Sequence, residues 1–158
     1  MARDALGRRV PAGSAHAVSE ISDVALPAPA ALAFARELLG KGRAFAAHEV
    51  FEAVWKACPA GERDLWQGLA QVCVGLTHLQ RGNAVGAVTL LRRGAGHLRA
   101  DAGLAGAGAG SALAGSALAG SALAGSALDV GGVADRAEAL AEQVAAGGGF
   151  HLAALSII

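Results

Sequence analysis

Cysteine is scarce in this chain, and its two copies are not placed to work together. Cys58 and Cys73 are separated by fourteen residues, with no CxxC pair among the 158 residues. That pattern fits neither a zinc ribbon nor a disulfide framework. Cys73 reads as an inert core thiol, and Cys58, beside Pro59 at a helix end, as the more exposed of the two. Net charge is lacking too: 13 Lys+Arg balance 13 Asp+Glu. No global field therefore steers the chain to nucleic acid or to an anionic membrane. No continuous apolar run opens the sequence, so no signal peptide is legible. With the cysteine usage, this points to a reduced cytoplasm. The hydrophobic share of 54% overstates the core, because much of it is alanine. The core-forming part, Leu32 to Leu98, is of a size at which one core is only marginally sufficient. A homodimer or a docked C-terminal helix would supplement it.

What chemistry there is lies between Phe45 and Asn83, a stretch that holds both tryptophans, both cysteines and two of the five histidines. Phe45, His48, Glu52 and Trp55 are spaced three, four and three apart, which places them on one helix face. Pro59 and Gly61 interrupt the pattern. Glu62 and Asp64 then suit the first turn of a second helix, where carboxylates favour the positive end of the dipole. Leu65 to Gln80 is apolar on most sides, the mark of a central helix. Its polar stripe of Gln67, Gln71 and His78, with Val74 between them, has to find partners inside the protein.

The short link makes the two helices antiparallel neighbours. Folding them about Ala60 and Gly61 brings His48 and Glu52 within about one turn, ~5 Å along the axis, of Gln67 and Gln71. The candidate ligand-binding residues are therefore His48, Glu49, Glu52, Trp55, Arg63, Gln67, Gln71 and His78. HEVFE is not the HExxH zincin motif, since Glu52 stands where the second histidine would be. A histidine and a carboxylate one turn apart can still ligate a divalent metal, with His78 as third ligand. Against this metal or small-ligand reading stands a buried structural network in which the glutamines hold His48 and Glu52. An interaction scaffold is a further reading, because the two hairpins resemble a single tetratricopeptide-like unit, of which no second copy occurs. No reaction is legible.

The run AHEVFEAVW, then GERDLWQGLAQ, then THLQRGN and GA, resembles the bacterial family called domain of unknown function 309. Its pattern of HExxExxW, a glycine-acid-Arg turn, QGLxQ and a histidine before GNxxGA falls here on His48, Glu49, Glu52, Trp55, Glu62, Arg63, Gln67, Gly68, Leu69, Gln71, His78, Gly82, Asn83, Gly86 and Ala87. The resemblance covers about residues 30 to 100, with a weaker echo at Asp129 to Val144. The opening RDALGRRVPAG is similar to the arm of actinobacterial members. The resemblance implies a compact all-helical fold and no established activity.

The expected organisation is an all-α bundle built on a central antiparallel helix hairpin. Residues 1–29 form an arm with little regular structure, from which Ile21, Val24 and Leu26 can dock. Residues 30–100 form the helical core, with Asn83 capping its last helix. Residues 101–128 are a low-complexity linker in which GSALA repeats. Its leucines recur every five residues, each turned by about 140° from the last on a helix, so no apolar stripe forms. Its glycine and serine content makes it a poor transmembrane span. Residues 129–146 form an amphipathic helix that docks on the core, and 147–158 a tail. Arg81, Arg92, Arg93 and Arg99 face no acid in their own segment. They read as a solvated face, with a phosphate-binding patch as the alternative.

Overall fold

A computed structural model describes residues 1–103 and 128–158; the GSALA repeat from Gly110 to Ala127 lies outside the described residues. The architecture is an all-α bundle. Five described helices follow one another: α1 (Ala28–Gly40), α2 (Ala44–Ala57), α3 (Arg63–Gln80), α4 (Ala84–Asp101) and α5 (Val130–Ala145). Each packs on the next in sequence, and a short 3₁₀ turn at Leu152–Ser156 returns to α1.

Local chemistry sets most of the boundaries. Pro29 falls in the first turn of α1, where its missing N–H costs no helical bond. Pro59 and a 3₁₀ turn at Ala60–Glu62 separate α2 from α3. The Asn83 carboxamide accepts from Gly86 N at 3.0 Å and starts α4, while Asp129 accepts from Gly132 N at 2.9 Å and starts α5.

The central helix is α3. It buries Leu65, Trp66, Leu69, Val72, Cys73 and Leu76 against neighbours on two sides, α2 and α4. Its seam with α4 is very close. A Cβ on Gly68 would lie 2.8 Å from Leu98 Cγ, one on Gly75 2.8 Å from Leu91 Cγ, and one on Gly94 2.9 Å from the Gly68 carbonyl oxygen. Gly68 and Gly75 of α3 and Gly94 of α4 together permit this approach. On the far side of α4, Arg92 pairs with Glu138 at 3.3 Å, and Arg99 with Asp135 at 3.2 Å and Glu138 at 3.5 Å. Two of the four arginines read as a solvated face, Arg92 and Arg99, are thus met by acids of α5. The apolar end of the chain is core as well: Leu155, Ile157 and Ile158 are buried, Arg36 Nε donates to the Ile158 oxygen and Arg136 Nε to the Ile157 carbonyl.

The arm before α1 carries a two-residue antiparallel pair, Ala2–Arg3 with Arg9–Val10, extended by a bond from Val18 N to the Arg3 carbonyl. Asp4 organises its turn, accepting from Leu6 N, Arg8 N and Arg8 Nε. Gly7, at φ 74°, lies so close over the Phe45 ring that a Cβ there would overlap it. Arg3 and Arg81 also stand over that ring, at 5.2 and 5.8 Å, and Arg81 donates to the Leu6 carbonyl. The arm is therefore latched onto α2 at Phe45. Ile21 packs on the core, whereas Val24 and Leu26 are exposed.

Candidate functional site

The inward face of α2 consists of Ala44, Ala47, Val50, Phe51 and Val54, all buried. This places His48 about 100° and Glu52 about 135° round from the buried centre, off the packed face of the helix. His48 is 19% and Glu52 35% exposed, so Glu52 is not the buried carboxylate the spacing suggested. Its partners lie on its own helix: Lys56 Nζ at 2.8 Å and His48 Nε2 at 3.2 Å. His48 Nδ1 is 3.2 Å from the Phe45 carbonyl. The hydrogen bond from Lys56 and the nearby His48 hold the Glu52 carboxyl below its ordinary range, while burial holds His48 below the usual histidine value despite Glu52.

The remaining residues of the anticipated cluster are spread along the α2–α3 seam. Gln67, Gln71 and His78 are half-buried, so the polar stripe of α3 follows the open edge of the seam. Gln67 and Gln71 make no hydrogen bond to Glu52; the Gln71 carboxamide oxygen is buried without a partner among the described residues. His78 meets Asn83, Nδ1 to Nδ2 at 3.1 Å, at the other end of α3. Trp55 lies under the Arg63 guanidinium at 4.9 Å, a cation–π contact of about 0.5–1 kcal/mol for an exposed arginine. Its indole N–H is buried and unpartnered among the described residues. Trp66 is fully buried and donates to Glu62 at 3.2 Å. Among the described residues, no three His, Cys, Asp or Glu side chains come together as a metal-ligand set. His48, Glu52 and His78 do not form one, and the Lys56 ammonium on Glu52 further opposes a cation there.

Glu49 points elsewhere. It lines a cavity of about 230 Å³ between the arm and the first half of α2, together with Arg3, Val18 to Ile21, Asp23, Arg43, Phe45 and Ala46. Glu49 makes no hydrogen bond among the described residues, and burial pushes its carboxyl above the ordinary value although Arg3 opposes the shift. Arg43 donates from Nη2 to the Ser19 carbonyl at 2.8 Å, and its Nε is buried with no acceptor among the described residues. Spacing alone could not single out Arg43 and Arg3. Arg43 lies in the turn before α2, and Arg3 reaches the cavity only because the arm folds back.

Residues 32–90 match the family described as domain of unknown function (DUF309). No curated protein and no solved structure gives a match. The DUF309 segment runs from the second turn of α1 into the first half of α4. It contains every residue of the anticipated cluster, and it contains Arg43, Phe45, Ala46 and Glu49 on the α2 side of the cavity. The opposite wall, Arg3 and Val18 to Asp23, comes from outside the DUF309 segment. Among the described residues, no helix is long and apolar enough to cross a membrane.

Proposed function

We propose that this protein is a small-ligand-binding helical module, with its site in the cavity between the arm and α2 rather than along the α2–α3 seam. One observation carries this reading. A part-buried carboxylate, Glu49, which makes no hydrogen bond among the described residues, and the guanidinium-bearing Arg43 line the same cavity between the arm and α2. A small polar ligand that pairs with the Glu49 carboxylate and the Arg43 guanidinium makes charge-assisted hydrogen bonds, the stronger kind. Drug-sized ligands occupy pockets of ~300–1,000 Å³, so the ligand is smaller than a nucleotide or a flavin. The His48–Glu52–Lys56 row acts as a support: it is a series of one-turn contacts on the flank of α2 that keeps Glu52 charged beside Glu49. No group here is poised as nucleophile or general base towards a second reacting group, so the reading is binding and not catalysis.

The test is a screen of small polar fragments against ¹⁵N-labelled protein. Amide shifts should move in residues 3–5, 18–23 and 43–49 for the compounds that bind. If hits perturb only the α2–α3 seam around Gln67 and Gln71, or perturb nothing, the assignment to this cavity is wrong.

A further inference from the structure

We infer that the cleft between α5 and the tail is a second ligand site, which takes a small amphipathic anion: an aliphatic chain ending in a carboxylate. It is separate from the arm–α2 cavity and does not depend on it. Arg136, Leu140 and Gln143 are four and three residues apart, so they share one face of α5. That face lies beside the buried stripe of Val133, Ala137, Ala141 and Val144. The opposite wall is the tail, around the 3₁₀ turn at Leu152–Ser156 and Ile157. Between the two walls lies a space of about 340 Å³, within the ~300–1,000 Å³ of small-molecule pockets.

The base of the cleft is apolar: Leu140 and Ala154 pack on the core, and Ile157 is buried. Its charge has one sign. Arg136 is in the lining, His151 can only add to it, and no carboxylate joins them. Of the acids of α5, Asp135 and Glu138 pair instead with arginines of α4. Arg136 Nε donates to the Ile157 carbonyl at 3.0 Å, which sets the guanidinium against the tail. That uses one of its N–H donors, of which a guanidinium has five. Arg136 makes no ion pair among the described residues. A carboxylate meets a guanidinium through charge-assisted bonds, two at a time where the geometry allows. A cation would be repelled here, and a neutral chain would cover the base but leave the guanidinium to water. An amphipathic anion uses both. Both walls lie outside the DUF309 segment, so the site belongs to this chain's last helix and tail rather than to the shared helical core.

The test is NMR titration of the full ¹⁵N-labelled chain with three probes: octanoate, butanoate and octylammonium. Octanoate should shift the amides of residues 136–143 and 151–157 saturably. A fully buried methylene strengthens binding about fourfold, so octanoate should bind at least tenfold more tightly than butanoate even in an open cleft. Octylammonium, with the same chain and the opposite charge, should bind at least tenfold more weakly than octanoate. Arg136→Met keeps the aliphatic stem and should lower octanoate to the level of octylammonium. Ala153→Glu places a carboxylate on an exposed residue of the lining. It should abolish octanoate binding with the melting curve unchanged, and it leaves the Arg136–Ile157 bond in place. Equal binding of octanoate and octylammonium overturns the inference. So does octanoate binding that survives Ala153→Glu, or the absence of saturable shifts in residues 136–157.

Discussion

Replacing Asp101 by Asn should make the protein more stable at neutral pH and should flatten its stability between pH 4 and 7. Asp101 is the last residue of α4, where the negative end of the helix dipole disfavours a carboxylate. It is 6% exposed, and its Oδ2 has no hydrogen-bond partner among the described residues. Burial, aided by Asp64 and Glu62, pushes its carboxyl from 3.8 up to about 6. The folded state therefore holds this proton more tightly than the unfolded chain. The associated stability is fully present below pH ~3.8 and is lost as pH rises through about 6. A displacement of that size corresponds to ~3 kcal/mol. Although little of the residue is accessible, fewer protein atoms surround its carboxyl than surround a core group, so the full figure overstates the effect. We take about 1–3 kcal/mol. In a chain of this size that is on the order of 5 °C in melting temperature. The assay is far-UV circular dichroism melting of wild type and Asp101→Asn from pH 4 to 8 at fixed salt. The two should coincide near pH 4, diverge as pH rises towards 6, and stay apart by a constant gap above it, with the variant higher. Parallel profiles across the range would refute the reasoning, because they would mean that Asp101 titrates alike in the folded and unfolded chain.

His48 should act with the opposite sign: burial depresses it below the ordinary 6.5, so its contribution is present above that pH and is lost as pH falls through the lower folded value. His48→Gln should remove this acid-side loss, as measured by urea unfolding at pH 5 and 7.5. Gly94→Ala should cost about 1–3 kcal/mol, since the new methyl meets backbone atoms of α3 that cannot yield. Gly96→Ala, two residues along the same helix with open space beside it, should be neutral or stabilising by about 0.5–1 kcal/mol in the same melts. Gly7→Ala should unlatch the arm from Phe45, seen as faster limited proteolysis before Ala28 with the helical core still intact; unchanged cleavage would show that the latch does not depend on Gly7.

How far the sequence carried depends on which residues spoke. Helix existence was legible wherever apolar periodicity coincided with caps, as at Asn83 and Asp129, and wherever proline marked a break, as at Pro59. The centre of the bundle followed from the apolar excess of Leu65 to Gln80. The phase of α2 was not legible. The aromatic and charged residues Phe45, His48, Glu52 and Trp55 drew the face to themselves, while the side chains that pack are Ala44, Ala47, Val50, Phe51 and Val54. Alanine carries little hydrophobic weight, so a face built half of alanine is easily outvoted. That single turn of about 100° moved Glu52 to the flank and freed Glu49 to face the arm. The arm residues that share the cavity with Glu49 were out of reach for another reason. They sit more than twenty residues upstream in a segment whose folding depends on a glycine fitting over one phenylalanine ring. His97 of α4 meets Asp64 of α3 at 2.7 Å, a contact across helices that spacing within one helix cannot show.

The glycine–leucine seam also determines where this molecule can move. Gly68 faces Leu98, Val72 faces Gly94 and Gly75 faces Leu91, each step forward along α3 matched by an equal step back along α4. Sliding either helix by one turn would drive Leu98 onto Leu65 or Val72 instead of a bare backbone. The pair has one setting, and shear between packed helices, one of the two common ways in which domains open, is closed to it. The α3–α4 pair is a fixed frame, and opening the cavity beside α2 falls to the opposite wall, where the arm is held chiefly by one aromatic ring, three arginines and a few backbone bonds.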